Sequence, residues 1–259
     1  MTIPAAVNLI DCFDSLGQLL GELDDDAWRV RSLCPDWDVH GVVAHVIGIE
    51  QMLQGWTPSP DFPEFWERLG AFAEEARSMS PAALLDRYRT VTAARAAELR
   101  TMSDADFELA SFTPIGVNTY GRFMAVRTFD VWVHEQDVRV PLGRPGHLTG
   151  PAAEMALDEI RGSFGYIAGK KVGVPDGASV AVNLTGPLFG DVAAAVVDGR
   201  AKVLPVADPT ASITTDSLTF ALLACGRIDP DGPIADGRVT MAGDPELAGR
   251  LARQLRFTF

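Results

Sequence analysis

No helix or strand can run unbroken through Pro141-Leu-Gly-Arg-Pro-Gly-His-Leu-Thr-Gly-Pro151, which holds three prolines and three glycines. Proline lacks the amide proton that regular structure uses, and glycine carries a backbone-entropy cost there. The residues on either side of this stretch therefore fold as separate elements, and their hydrophobic patterns differ. We place a domain boundary here, with one domain over 1–148 and a second over 149–259.

Before the boundary, apolar residues return every three or four positions, as in Val7, Ile10, Phe13, Leu16, Leu20 and Leu23. That is the period of a helix burying one face. A second helix is expected after Asp36 or Asp38, either of which can cap it, carrying Val39, Val42, Val46, Ile49, Leu53 and Trp56. Ser80-Pro81 supplies a cap and a first helical residue for a helix reaching about Leu99. A shorter helical stretch is expected near 65–77 and a last helix over 121–140. Four long helices with modest connections predict a bundle.

After Thr149 the pattern changes. Residues 151–169 read as one more helix, followed by β-rich runs over 178–184 and 191–204, broken by turns such as Asp198-Gly199. Two further strands, 212–214 and 238–241, each precede a helix, over 216–225 and 244–255. The simplest packing is a small antiparallel sheet with helices on one face, so the fold class is a four-helix bundle followed by a small α+β domain.

With 47% hydrophobic and 22% charged residues, the chain is too apolar for a disordered regulator. Its net charge of −13, of which −10 lies in 1–148, would repel a phosphate backbone or an anionic membrane, and no basic patch offsets it. Neither nucleic acid nor membrane is expected as a partner. No basic N-terminal segment, eighteen-residue apolar run, phosphate-binding glycine loop or internal repeat occurs. Cys12, Cys34 and Cys225 are widely spaced with no CxxC pair, which suits a reduced cytoplasm. The 19 arginines against three lysines suggest GC-rich coding. A monomer and a dimer through bundle faces stand equally open.

Four histidines can be weighed singly. His45 shares its helix face with Val42 and Ile49, so its imidazole points into the bundle and needs a partner: a core hydrogen bond or a metal. Asp130 and His134 stand four apart on the last helix, stacked where both can reach one ion, with Asp137 three further on. Two nitrogens and one oxygen leave a fourth position free, the pattern of a catalytic zinc site. The alternative is a charged surface face with an i,i+4 hydrogen bond. His40 and His147 are expected to be solvated, Trp37 and Trp132 to anchor the core, and Asp24-Asp25-Asp26 to form a solvated loop. Cys34 is expected to be the most accessible thiol, without a matched base to make it a nucleophile.

The segment Cys34-Pro-Asp-Trp-Asp-Val-His-Gly-Val-Val-Ala-His45 resembles the first metal segment of the DinB-like bundle in the mycothiol-dependent maleylpyruvate isomerase family. Asp130-Val-Trp-Val-His134-Glu-Gln-Asp137 is similar to its second. Ala211-Ser-Ile-Thr-Thr-Asp216 and Ala242-Gly-Asp-Pro-Glu-Leu-Ala248 resemble phrases of the sterol-carrier-protein-type domain appended to many such proteins. The resemblance implies a divalent metal, usually zinc, on His45, His134 and the acid at 130, which is commonly Glu in the family and is Asp130 here. It implies mycothiol as the low-molecular-weight thiol, activated on the metal to attack a small electrophile in an isomerisation or S-transfer. Asp137 and Arg139 are the candidates for orienting the ligands or the thiol, and Arg227 for meeting an acidic substrate. Three other readings stay open at this point: a carrier of hydrophobic ligands with a structural or vestigial metal site, a zinc hydrolase using water, and a metal-free structural bundle.

Overall fold

The computed structural model describes residues 4–258 and resolves the chain into two compact units. The first ends at His147 and takes in Pro151–Ala156; the second holds Leu148–Gly150 and continues from Leu157.

The first unit is built on α1 (Pro4–Gly21), α2 (Val39–Leu53), α3 (Phe65–Ala76), α4 (Pro81–Thr101), the single turn α5 (Asp104–Phe107) and α6 (Tyr120–Arg139). A two-stranded ribbon, β1 (Ala110–Ser111) with β2 (Asn118–Thr119), leads into α6. The four long helices form a ring in which α1 touches α4 and α6, and α2 touches the same two. The apolar stripes meet inside: Leu9, Leu16 and Leu20 of α1, Val42, Val46 and Leu53 of α2, Leu84 and Leu99 of α4, and Phe123 and Val131 of α6 are buried. Of the two possible caps for α2 the chain uses Asp38, whose carboxylate accepts from Gly41 N at 2.8 Å. Ser80 caps α4 and Thr119 caps α6 in the same manner. Among the described residues, no helix is long and apolar enough to cross a membrane.

The second unit opens with α7 (Pro151–Gly162), which begins in the first unit's share of the chain. The single helix expected over 151–169 is broken: α7 stops at Ser163, whose hydroxyl donates back to Glu159 O at 3.1 Å, and a short turn α8 (Phe164–Tyr166) passes into a π-helical turn, Ile167–Val172. Five strands come next: β3 (Ser179–Thr185), β4 (Gly190–Val197), β5 (Arg200–Val203), β6 (Ala211–Asp216) and β7 (Thr240–Gly243), in the order β5-β4-β3-β6-β7. α9 (Ser217–Ala224), α10 (Asp231–Ala235) and α11 (Pro245–Arg253) complete the unit. The sheet is mixed, which corrects the expected antiparallel one, because β6 runs parallel to β3. The proline-punctuated connection over 204–210 returns the chain beside β3 in the direction of β3 itself. That register sets Val182 opposite both Val192 and Ile213, and it gathers Val180, Leu184, Ala194 and Ala211 on the same buried face.

Candidate metal centre

Helices α2 and α6 lie side by side and bring His45 up to Asp130 and His134, which are four residues apart on α6. The His45 Nε2, an Asp130 carboxylate oxygen and a His134 ring nitrogen all lie within 4.8 Å of one another. Asp130 Oδ2 is 3.4 Å from His45 Nε2, and Asp130 Oδ1 is 3.7 Å from His134 Nε2. The shorter aspartate arm thus spans both imidazoles. The His45 ring is 4.8 Å from the His134 ring, and the indole of Trp37 covers both, at 5.0 and 5.8 Å. Trp37 is half-buried and belongs to this cluster, not to the apolar core expected for it.

The donor set fits a small divalent cation. His45 Nε2 is buried and has only Asp130 Oδ2, at 3.4 Å, as a polar neighbour, too long and poorly aligned for a good hydrogen bond, a shortfall that a metal would resolve. Two ligands of a tetrahedral ion with bonds of about 2.1 Å lie about 3.4 Å apart, close to the two separations found here. Burial pushes the His45 imidazole below its ordinary range, against the pull of Asp130, which favours the neutral ring a metal needs. Burial alone would raise Asp130; Arg127 above all, with the two histidines, holds its carboxyl well below the usual range.

Asp137 and Arg139 have different fates. The fully buried Asp137 accepts from His134 Nδ1 at 2.9 Å, leaving Nε2 to face Asp130. Arg139 turns to Glu135 Oε1 at 2.6 Å and to the Ser15 hydroxyl at 3.1 Å, and its bonds do not include the cluster. Arg227, in the second unit, donates to Cys225 O. The alternative of a charged surface face on α6 fails, since His134, Glu135, Gln136 and Asp137 are all buried.

Several placements differ from expectation. Cys34 is buried, and its sulfur comes within 4.8 Å of donor atoms of His134 and Asp137; the hydrogen bond from Leu33 N to Asp137 O draws its loop onto α6. His147 is enclosed, with its side chain only 8% exposed, by Glu135 at 2.7 Å and Asp11 at 3.3 Å, because both carboxylates face the segment after α6. His40 is half-buried and its Nε2 lies 3.1 Å from Met79 O. Trp132 is a core anchor, and Asp24-Asp25-Asp26 is exposed.

A buried ionic network beneath the cluster had escaped the sequence. Glu50, fully buried on α2, accepts from Arg127 Nε at 2.9 Å and Arg95 Nε at 3.2 Å. Arg127 Nη1 continues to Asp130 Oδ2 at 2.6 Å, and Arg95 to Glu98 at 2.7 Å and the Tyr120 hydroxyl at 2.9 Å. The signals were a lone acid in the apolar run 42–53 and an arginine three residues before Asp130.

A helical bundle presenting two histidines and an aspartate from adjacent helices, followed by an α+β unit, defines the class of protein. The model of the mycothiol maleylpyruvate isomerase N-terminal domain matches residues 9–139, and that of the corresponding C-terminal domain matches 154–250. The chain belongs to the mycothiol maleylpyruvate isomerase family. Among solved structures, that of the mycothiol-dependent maleylpyruvate isomerase is similar over 93% of this chain and 94% of that chain, with a TM-score of 0.62 and 17% identity. A histidine-to-alanine mutant of the same isomerase gives a TM-score of 0.63 with the same identity and coverage. At this identity the likeness is one of fold. A comparison with curated proteins finds no match.

Proposed function

We propose that the chain is a zinc- and mycothiol-dependent enzyme that performs an isomerisation or S-transfer on a small electrophile, with His45, Asp130 and His134 as the metal ligands. The observation that carries this reading is the buried His45 Nε2 facing Asp130 and His134 at metal-ligand separations. Family membership supports the thiol, and the three unlinked, buried cysteines suit a reducing cytoplasm.

A zinc ion held by these residues would lower the pKa of a bound thiol and supply a thiolate near neutral pH. The chain's own groups prepare for that. Asp137 fixes the His134 proton on Nδ1, so that Nε2 presents its lone pair. Arg127 offsets the Asp130 charge and holds one carboxylate oxygen in place, while Glu50 holds Arg127. Trp37 lies against both imidazoles, at 5.0 and 5.8 Å.

The test is elemental analysis of untagged protein, together with mycothiol-dependent turnover of a cis-conjugated acid such as maleylpyruvate. Wild type is expected to hold close to one zinc per chain, and His45→Ala and His134→Ala to lose both metal and turnover. Wild type that stays empty after incubation with zinc overturns the metal assignment; turnover that ignores mycothiol overturns the thiol assignment.

A further inference from the structure

The segment before α2 sets a second group of donors against the His134 ring. That ring offers two nitrogens: Nε2 stands 3.7 Å from Asp130 Oδ1, and Nδ1 stands 2.9 Å from Asp137 Oδ2. Cys34 Sγ, a His134 ring nitrogen and an Asp137 carboxylate oxygen all lie within 4.8 Å of one another. Asp137 meets the ring at Nδ1, so an ion shared with Asp137 takes that nitrogen. All three side chains are buried. The thiol is held in place by its backbone: Cys34 N donates to Ser32 Oγ at 3.1 Å, Cys34 O accepts from Trp37 N at 3.3 Å, and the neighbouring Leu33 N donates to Asp137 O at 3.1 Å. Sulfur, nitrogen and oxygen ligands of a tetrahedral ion stand about 3.5 Å apart, so this set closes around an ion with side-chain shifts of about an ångström. The sulfur adds a preference for thiophilic cations that the nitrogen and oxygen donors of the first set lack.

We propose that Cys34, Asp137 and His134 Nδ1 form a second metal site, that it takes a thiophilic divalent cation of the cadmium type, and that filling it disables the first site by taking its His134. The exclusion follows from the ring. A neutral imidazole carries one proton and one lone pair, so an ion on Nδ1 sends the proton to Nε2, which then donates towards Asp130 in place of binding an ion. Holding both ions at once would require the ring to lose its last proton. The Cys34 thiol gives up its proton to solvent as the sulfur binds, so each ion captured releases one proton. The exclusion rests on the reading of His45, Asp130 and His134 as zinc ligands; the second site itself does not.

The experiment titrates full-length, zinc-loaded protein with cadmium chloride, following the ultraviolet absorption of the cadmium–thiolate bond and the metal content after desalting. Wild type is expected to bind one cadmium per chain with that absorption and to lose zinc in step with it. Cys34→Ser and Cys34→Ala are expected to lose the absorption, to weaken cadmium binding by about tenfold or more, and to keep their zinc. His45→Ala, which removes a ligand of the first set alone, is expected to keep the absorption. In wild type, cadmium is also expected to slow alkylation of Cys34 selectively over Cys12 and Cys225, which assigns the sulfur without any substitution. Absence of the absorption in wild type, its persistence in folded Cys34 variants, or protection of Cys12 or Cys225 in place of Cys34 overturns the site. Zinc that stays at one per chain while cadmium binds through Cys34 overturns the exclusion. Protein that never holds zinc yet binds cadmium through Cys34 overturns the zinc assignment above, and the exclusion with it, and upholds the second site.

Discussion

Asp137 decides which nitrogen of His134 carries the proton. Its carboxylate, 2.9 Å from Nδ1, can only accept there, so the proton sits on Nδ1 and Nε2 keeps its lone pair. Asp137→Ala is expected to weaken zinc binding by about 10- to 100-fold, the usual range for losing such an orienting partner, as read by competition with a chelator. Arg139→Gln serves as the contrast: its bonds go to Glu135 and Ser15, so zinc affinity is expected to stay within twofold while the melting temperature falls. The outcome that would sink this division is a tenfold loss of affinity in Arg139→Gln. At this scale the sequence carried the Asp130-His134 pair, because four residues on one helix fix a shared face whatever the fold does. It could not carry Glu50 with Arg127, 77 residues apart, whose meeting depends on how α2 lies against α6.

Glu50 links three helices, since α2 reaches α4 through Arg95 and α6 through Arg127, all with side chains at most 3% exposed. Glu50→Gln keeps the shape but removes the charge that two buried guanidiniums face. A loss of about 3–5 kcal/mol is expected from urea unfolding, the range for breaking a buried ion pair on one side. A cost below about 1 kcal/mol would show that Glu98 and Asp130 suffice to neutralise the arginines. In the second unit, Gly243 ends β7 at φ 78°, and a Cβ there would overlap Thr210 O. Gly243→Ala is expected to destabilise that unit by roughly 1–3 kcal/mol, seen as an earlier unfolding step. The bundle helices were legible because capping residues and a 3.6-residue period are local signals. The partner of β6 was not, because the residues of β6 do not encode whether the neighbouring strand runs with or against them; the 204–210 connection and the shared apolar face decide that. The break of α7 at Ser163 was equally hidden, since a serine inside an apolar period reads as helix until its hydroxyl is seen bonded to Glu159 O.

Across the whole molecule, the fold is shared with the solved isomerase over 93% of the chain at 17% identity, so few side chains are needed to specify it. Stability is where a single residue still shows at this scale. His147 joins Glu135 of α6 and Asp11 of α1, and thereby fastens the segment after α6 to the bundle. Burial alone would lower its pKa, but the two carboxylates outweigh it, and the imidazole titrates above its usual range. A histidine with a folded-state pKa above the unfolded value of about 6.5 contributes stability that is complete below that value and lost as pH rises through the folded one. Wild type minus His147→Gln is therefore expected to give a stability difference that is largest near pH 6 and shrinks steadily towards pH 9, read from urea midpoints at constant ionic strength. Taking the difference removes the titration of other groups, which both proteins share. A difference that is flat across this range, or grows with pH, would mean that His147 is held by packing and not by its charge, and that the carboxylates of Glu135 and Asp11 act on the bundle through Arg139 and solvent instead.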